Sequence, residues 1–93
     1  MDLGLTGKIA IVTGGSDGIG KAAAISMASE GAKVAIVART QADLDAAAED
    51  IKKETGNNDI LAIAADVTDE AQVQKMVDTV VGTWGGLDIR GNH

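Results

Sequence analysis

The chain has 93 residues, 45% of them hydrophobic, which is material for one small domain and little for a second. Its net charge of -6, with no clustered Lys and Arg, argues against a nucleic-acid groove or an anionic membrane surface as partner. With no cysteine, no basic and apolar leader in Met1-Asp2-Leu3-Gly4-Leu5, and no apolar run near the roughly 18 residues of a membrane span, the expectation is a soluble cytoplasmic protein with no disulfide framework and no metal site.

Lys8 to Val12 is a nearly continuous apolar run of the kind that forms a parallel strand buried on both faces. Thr13-Gly14-Gly15-Ser16-Asp17-Gly18-Ile19-Gly20 follows, and then a stretch of helix formers from Lys21, so the order reads strand, tight turn, helix. Glycine lets such a turn take positive φ and come close to a bound group, because no Cβ stands in the way. The helix then points the positive end of its dipole, roughly half a unit charge, into the turn. A phosphate fits that description, and the stretch predicts nucleotide binding. Ile19, Ala22, Ala23, Ile25, Met27 and Ala28 supply the sheet-facing side of this helix, and Gly31 ends it.

Lys33 to Ala38 is a second buried strand, followed by Arg39 and Thr40. Thr40 and Asp43 have the spacing of a capping box, with Asp in place of the longer Glu. The helix they open carries Leu44, Ala47, Ala48 and Ile51 on one face and Asp45, Glu49, Asp50, Lys52 and Lys53 on the other, and Gly56-Asn57-Asn58 stops it. A third strand runs from Ile60 to Ala65 and ends at Asp66-Val67. Thr68 or Asp69 caps a third helix, with Val73, Met76, Val77, Val80 and Trp84 at helical spacing, and Leu87-Asp88-Ile89 begins a fourth strand. Strand and helix alternate through short connections, so the sheet is parallel and right-handed crossovers place helices on both faces. This predicts an α/β chain, the first half of a doubly wound fold, as one domain over residues 1–93 with strand order 3-2-1-4.

Three nucleotide sites compete for the glycine turn. Gly15, four residues, then Gly20-Lys21 match most of a P-loop, but Ala22 stands where a Ser or Thr hydroxyl must meet Mg²⁺. Gly14, Gly18 and Gly20 do not have the G-x-G-x-x-G spacing of the standard dinucleotide fingerprint. Thr-Gly-x-x-x-Gly-Ile-Gly after the first strand resembles instead the cofactor motif of the short-chain dehydrogenase/reductase family. Asp66-Val67 is similar to that family's pair beside the adenine, and Leu87-Asp88-Ile89 to the start of its fourth strand, so the resemblance covers nearly the whole chain.

The resemblance implies half of a Rossmann fold holding a dinucleotide. Gly14, Ser16, Gly18, Ile19 and Gly20 would line the pyrophosphate, Arg39 and Thr40 the adenosine ribose or its phosphate, and Asp66 and Val67 the adenine; Asp17, in the same stretch, is a further cofactor-binding candidate, although some NADP-using relatives have a basic residue in its place. Asn92 aligns with the first Asn of the family's Asn-Asn-Ala-Gly. Plainer readings stand beside these: Asp66 as the cap of the third helix, Arg39 as a solvated strand end. In dinucleotide folds an acidic residue after the second strand takes the ribose hydroxyls of NAD, whereas an Arg accommodates the 2′-phosphate of NADP. Here Ala38 is followed by Arg39, with no carboxylate, and the expected cofactor is NADP.

By the same resemblance the reaction would be hydride transfer between nicotinamide and an alcohol or carbonyl carbon, run by a Tyr, a Lys and a Ser from the second half of the fold. This chain has no tyrosine, none of Lys21, Lys33, Lys52 and Lys53 falls in a Tyr-x-x-x-Lys arrangement, and His93 is the last residue, so no catalytic residue is expected in it. After Ile89 the sequence reads Arg90-Gly91-Asn92-His93, and a charge followed by a glycine does not suit a central buried strand. The expectation is truncation near residue 90, with a fourth-strand edge open to self-association. Three readings follow: an NADP-binding half that is inactive alone, one piece of a reductase that works only with its other half, and a non-catalytic interaction or regulatory module on the same scaffold.

Overall fold

The computed structural model describes residues 4–16 and 18–91. Four strands and three helices alternate: β1 (Ile9–Thr13), α1 (Gly18–Ser29), β2 (Lys33–Ala38), α2 (Gln41–Thr55), β3 (Ile60–Ala64), α3 (Glu70–Trp84) and β4 (Ile89–Gly91). The sheet has the order β3-β2-β1-β4 and every pairing in it is parallel, as the alternation predicts.

Strand alternation sorts the core into two layers. Val12, Val34 and Ile36 face α1 and α2, where they meet Ala24, Ala28, Leu44, Ala47, Ala48 and Ile51. Ile9, Ile11, Ala35 and Val37 face the other way, against Met76 and Val80 of α3, with Trp84 and Leu87 partly buried beside them. Two helices thus cover one face and a single helix the other. The α2 face of Leu44, Ala47, Ala48 and Ile51 is buried as its periodicity predicts.

The α1 face differs from expectation. Its buried residues are Gly20, Ala24 and Ala28, a stripe of i, i+4 and i+8, while Ala22 is exposed and Ile19 is 75% exposed. Small residues at that spacing bring the helix close to the sheet, and the larger apolar side chain is turned outward. The capping box is also absent: Thr40 is the N-cap of α2, but its side chain makes no cap hydrogen bond, and Asp43 lacks the methylene by which a Glu reaches back. At α3 the cap is Asp69, which accepts from the backbone N–H of Ala71 and Gln72, so Asp66 is not the cap.

The fourth strand starts later than Leu87. Asp88 lies just before it and grips β1 twice, its N–H donating to the Ile9 carbonyl and its Oδ2 accepting from the Ile9 N–H, both at 2.9 Å. Contrary to the expectation from its composition, the backbone of Arg90 and Gly91 does continue the ladder, paired with Ile11 and Val12 at the edge of the sheet.

Asn57 performs a similar service between the second helix and the third strand. Its Nδ2 donates to the carbonyls of Ala28 (3.1 Å) and Ala32 (2.8 Å), and its Oδ1 accepts from the Asp59 N–H at 2.8 Å. It closes the end of α1, the entry to β2 and the entry to β3 with one half-buried amide. Asn57→Ala leaves two carbonyls and one N–H without that partner and is expected to cost about 1–3 kcal/mol. Thermal unfolding checks this, at about 4–8 °C of Tm per kcal/mol for a domain of this size. Asn57→Asp should be worse than Ala, because it sets a carboxylate oxygen against two carbonyl oxygens.

Candidate functional site

The turn after β1 is built by three glycines with different duties. Gly14 has φ 73° and its N–H donates to the Val37 carbonyl at 2.7 Å, which ties the turn to the end of β2. Gly18 opens α1 at φ 55°, and a Cβ there would meet nothing within 4 Å, so this side of the turn is open. Gly20 is the reverse: a Cβ on it would land on the Gly14 carbonyl oxygen, 2.6 Å from the Gly14 carbonyl carbon and 3.1 Å from the Gly15 nitrogen. The first turn of α1 can therefore sit directly on the glycine turn only because residue 20 has no side chain.

Gly15, not among the candidate site residues, proves as constrained. It is buried, and a Cβ on it would fall 2.7 Å from both Cβ and Cγ2 of Ile36. The glycine doublet was the available signal, but only the β2 register shows which side chain it must clear. Ser16 is half-buried in the same turn, and α1 has no acidic residue in its first turn to offset the positive end of its dipole. Asp17 and Asn92 lie outside the described residues.

Lys21, the residue a P-loop would need at the phosphates, is committed elsewhere. Its Nζ donates to Asp50 Oδ2 on α2 at 2.8 Å, and this bond holds the Asp50 carboxyl below the usual carboxylate range. The P-loop reading thus fails at Lys21 as well as at Ala22.

The remaining candidates follow the C-terminal ends of β2 and β3. Arg39 and Thr40 are exposed between β2 and α2, and Asp66 and Val67 lie between β3 and α3. The structure brings Arg39 and Asp66 together, with the guanidinium NH2 3.6 Å from Asp66 Oδ1. Asp66 Oδ1 also accepts from the Thr68 Oγ1 (2.6 Å) and the Thr68 N–H (2.9 Å). These two bonds, with the positive charge of Arg39 behind them, hold its carboxyl below the usual carboxylate range and keep it ionised at neutral pH. Thr68 was legible as the second residue after an Asp, the spacing of an Asx-turn. Gln72, whose Oε1 accepts from the Asp66 N–H at 2.8 Å, gives no such signal.

β1 and β4 are neighbours in space but not in sequence, and the glycine turn sits at the carboxyl end of β1, where strand order reverses. This is where open α/β sheets hold their ligands. Gly14 and Gly18 at positive φ, with the N-terminal turn of α1 seated directly on the glycine turn, suit an anionic group held against main chain. Among the described residues there is no cluster of three or more metal-ligating side chains and no helix long and apolar enough to cross a membrane.

Comparison with known proteins agrees with this geometry. A family model described as short chain dehydrogenase matches residues 8–92. The chain is 44% identical over 87 residues to a short-chain dehydrogenase/reductase homolog of Bacillus subtilis, YusS, covering 92% of this chain and 78% of that one. It is 38% identical to the human dehydrogenase/reductase SDR family member 13, over 91% of this chain and 22% of that protein. Among solved structures, the L-sorbose reductase of Gluconobacter frateurii, complexed with NADPH and L-sorbose, superposes with a TM-score of 0.90 at 41% identity, covering 97% of this chain and 34% of that one. The 3-ketoacyl-(acyl-carrier-protein) reductase of Brucella melitensis, complexed with NADH, gives 0.83 at 37% identity, covering 92% and 33%. Apart from YusS, these relatives are spanned by the chain over 22–34% of their length.

Proposed function

The chain belongs to the short-chain dehydrogenase family, and from that premise we propose that it binds NADP(H) at the glycine turn and its two neighbouring loops without transferring hydride on its own. Membership supports a nicotinamide dinucleotide as cofactor. The two solved relatives, one with NADPH and one with NADH, do not choose between the two forms.

Arg39 carries the choice. It directly follows β2, it is 74% exposed, and no carboxylate follows that strand to take the ribose hydroxyls of NAD. A guanidinium holds a phosphate through paired, charge-assisted bonds. In this reading Gly14, Ser16, Gly18, Ile19 and Gly20 receive the pyrophosphate, with the positive end of α1 behind it, and Asp17, between Ser16 and Gly18 in the sequence, is a further cofactor-binding candidate. Arg39 and Thr40 take the phosphorylated ribose, and Asp66 and Val67 the adenine. Asn92, which follows Gly91 in the sequence, is the remaining candidate contact. Val67 and Ile19, both exposed apolar side chains, give the bound group hydrophobic surface to rest on.

Bound NADP(H) would supply or accept the hydride. The chain's own residues bind and orient it, and we assign none of them the acid/base role, for which the sequence has no tyrosine. Calorimetric titration tests this: NADPH is expected to bind more tightly than NADH, with no oxidation of NADPH when alcohols or ketones are added. Turnover by the chain alone would overturn the inactive reading, and equal affinities the NADP(H) reading.

A second reading draws on the edge of the sheet. Beyond β4 no further strand pairs among the described residues, and Val81 of α3 is an exposed apolar side chain. An interaction module would use this edge to associate with a second copy or a full-length relative. Absence of dinucleotide binding, together with a concentration-dependent dimer in sedimentation, would favour it.

A further inference from the structure

We propose that Asp66 is a positioning residue for Arg39, holding the guanidinium in place at the adenosine end of the site before the 2′-phosphate arrives; this rests on the NADP(H) reading above. The ends of β2 and β3 are joined by the Ala65 N–H donating to the Ala38 carbonyl at 2.9 Å, so that residues 39 and 66 leave the sheet side by side. Arg39, long and exposed, would on its own lose much rotamer freedom on meeting a ligand.

Asp66 is a fixed post. Thr68 holds its Oδ1 with two bonds, and Gln72 holds its N–H. The Gln72 Nε2 in turn donates to Asp69 Oδ2 at 3.2 Å, and Asp69 caps α3. A chain of polar contacts thus runs from the first turn of α3 to Arg39. At 3.6 Å the Arg39–Asp66 contact is charge attraction without a hydrogen bond, so it orients the guanidinium and leaves its donors available for an incoming oxyanion.

Two effects of the carboxylate oppose each other. Ordering Arg39 favours the phosphate, and the negative charge of Asp66 repels it. Both act through solvent at this exposed loop, but with the guanidinium between them the phosphate and the carboxylate lie further apart than the 3.6 Å of the ion pair, so the repulsion is the more screened; ordering one long side chain corresponds to about two- to tenfold in affinity. Ordering is the larger effect.

The measurement is the ratio of NADPH to NADH affinity by calorimetric titration of the whole chain, in which any contact of Asp66 with the adenine cancels. Asp66→Asn, which keeps an acceptor for Thr68 and removes the charge, is expected to lower the preference for NADPH about two- to tenfold. The same change in an Arg39→Ala background should leave the ratio where Arg39→Ala alone puts it. Thr68→Val, which loosens the post and keeps its charge, should lower the preference by less. An unchanged or increased preference in Asp66→Asn overturns the inference, as does the same loss with and without Arg39; if Asp66→Asn does not fold, an unchanged ratio in Thr68→Val overturns it. An Arg39→Ala variant with the unsubstituted ratio, or no binding of either dinucleotide to the unsubstituted chain, overturns the NADP(H) reading itself.

Discussion

Gly20→Ala is expected to destabilise the domain by about 2–3 kcal/mol, the upper part of the range for an overpacked site, and to weaken dinucleotide binding with it. In most helices the same change helps by about 0.8–1 kcal/mol, since Ala is the better helix former. Here the added methyl meets not a side chain that can rotate away but the Gly14 carbonyl, part of a turn anchored to Val37. Either α1 lifts from the sheet, losing the contact of Ala24 and Ala28, or Gly14 leaves its φ of 73°. Gly82→Ala is the control: a Cβ there meets nothing within 4 Å in the last turn of α3. It should stabilise, by at most about 0.8–1 kcal/mol. Urea unfolding of both variants reads the two signs in one experiment, and a stabilised Gly20→Ala would show that the close approach is dispensable.

Arg39→Ala is expected to reduce NADPH affinity about 10- to 100-fold, the range of one charge-assisted hydrogen bond of roughly 1.5–3 kcal/mol after some loss to solvent. NADH affinity should change by no more than about twofold, because the ribose hydroxyls carry no charge for the guanidinium to meet. The difference between the cofactors should shrink as salt rises, since Arg39 is exposed and its field is screened beyond about 10 Å at 0.1 M. Calorimetric titration at two salt concentrations checks both statements. Equal losses for the two cofactors would reduce Arg39 to a general anchor.

Much of the fold could be read from the chain because its elements are short, buried and alternating. Lys33 to Ala38 and Ile60 onward carry the apolar runs of parallel strands, and Leu44, Ala47, Ala48 and Ile51 the spacing of a covered helix. What could not be read depends on partners far apart in sequence. Ile19 was assigned to the buried side of α1 because it is apolar, yet Gly20 takes that place: the turn backbone comes so close that only a glycine fits. Gly15 is fixed by Ile36, twenty-one residues on, and Asp88 by Ile9 at the other end of the chain. The candidate loop residues stood out by type and position, whereas the contact between Asp66 and Arg39 and the bond from the Asp66 N–H to Gln72 needed the strand order to place two loops together.

The two ends of the sheet divide their labour. Asp88 on Ile9, Asn57 on Ala28 and Ala32, the Gly7 N–H on the Gly31 carbonyl and the Val34 N–H on the Asp59 carbonyl all fasten the end where the strands begin. Gly14, Arg39 and Asp66 lie at the end where the strands finish, and of these only the glycine turn is bound up with packing. Arg39, exposed and held by a single ion pair, can therefore change at little expense to folding. On the proposed reading, a scaffold wired this way is evolvable: selection can rewrite which dinucleotide is preferred through an exposed loop residue such as Arg39, while the fasteners at the far end keep the melting temperature where it was.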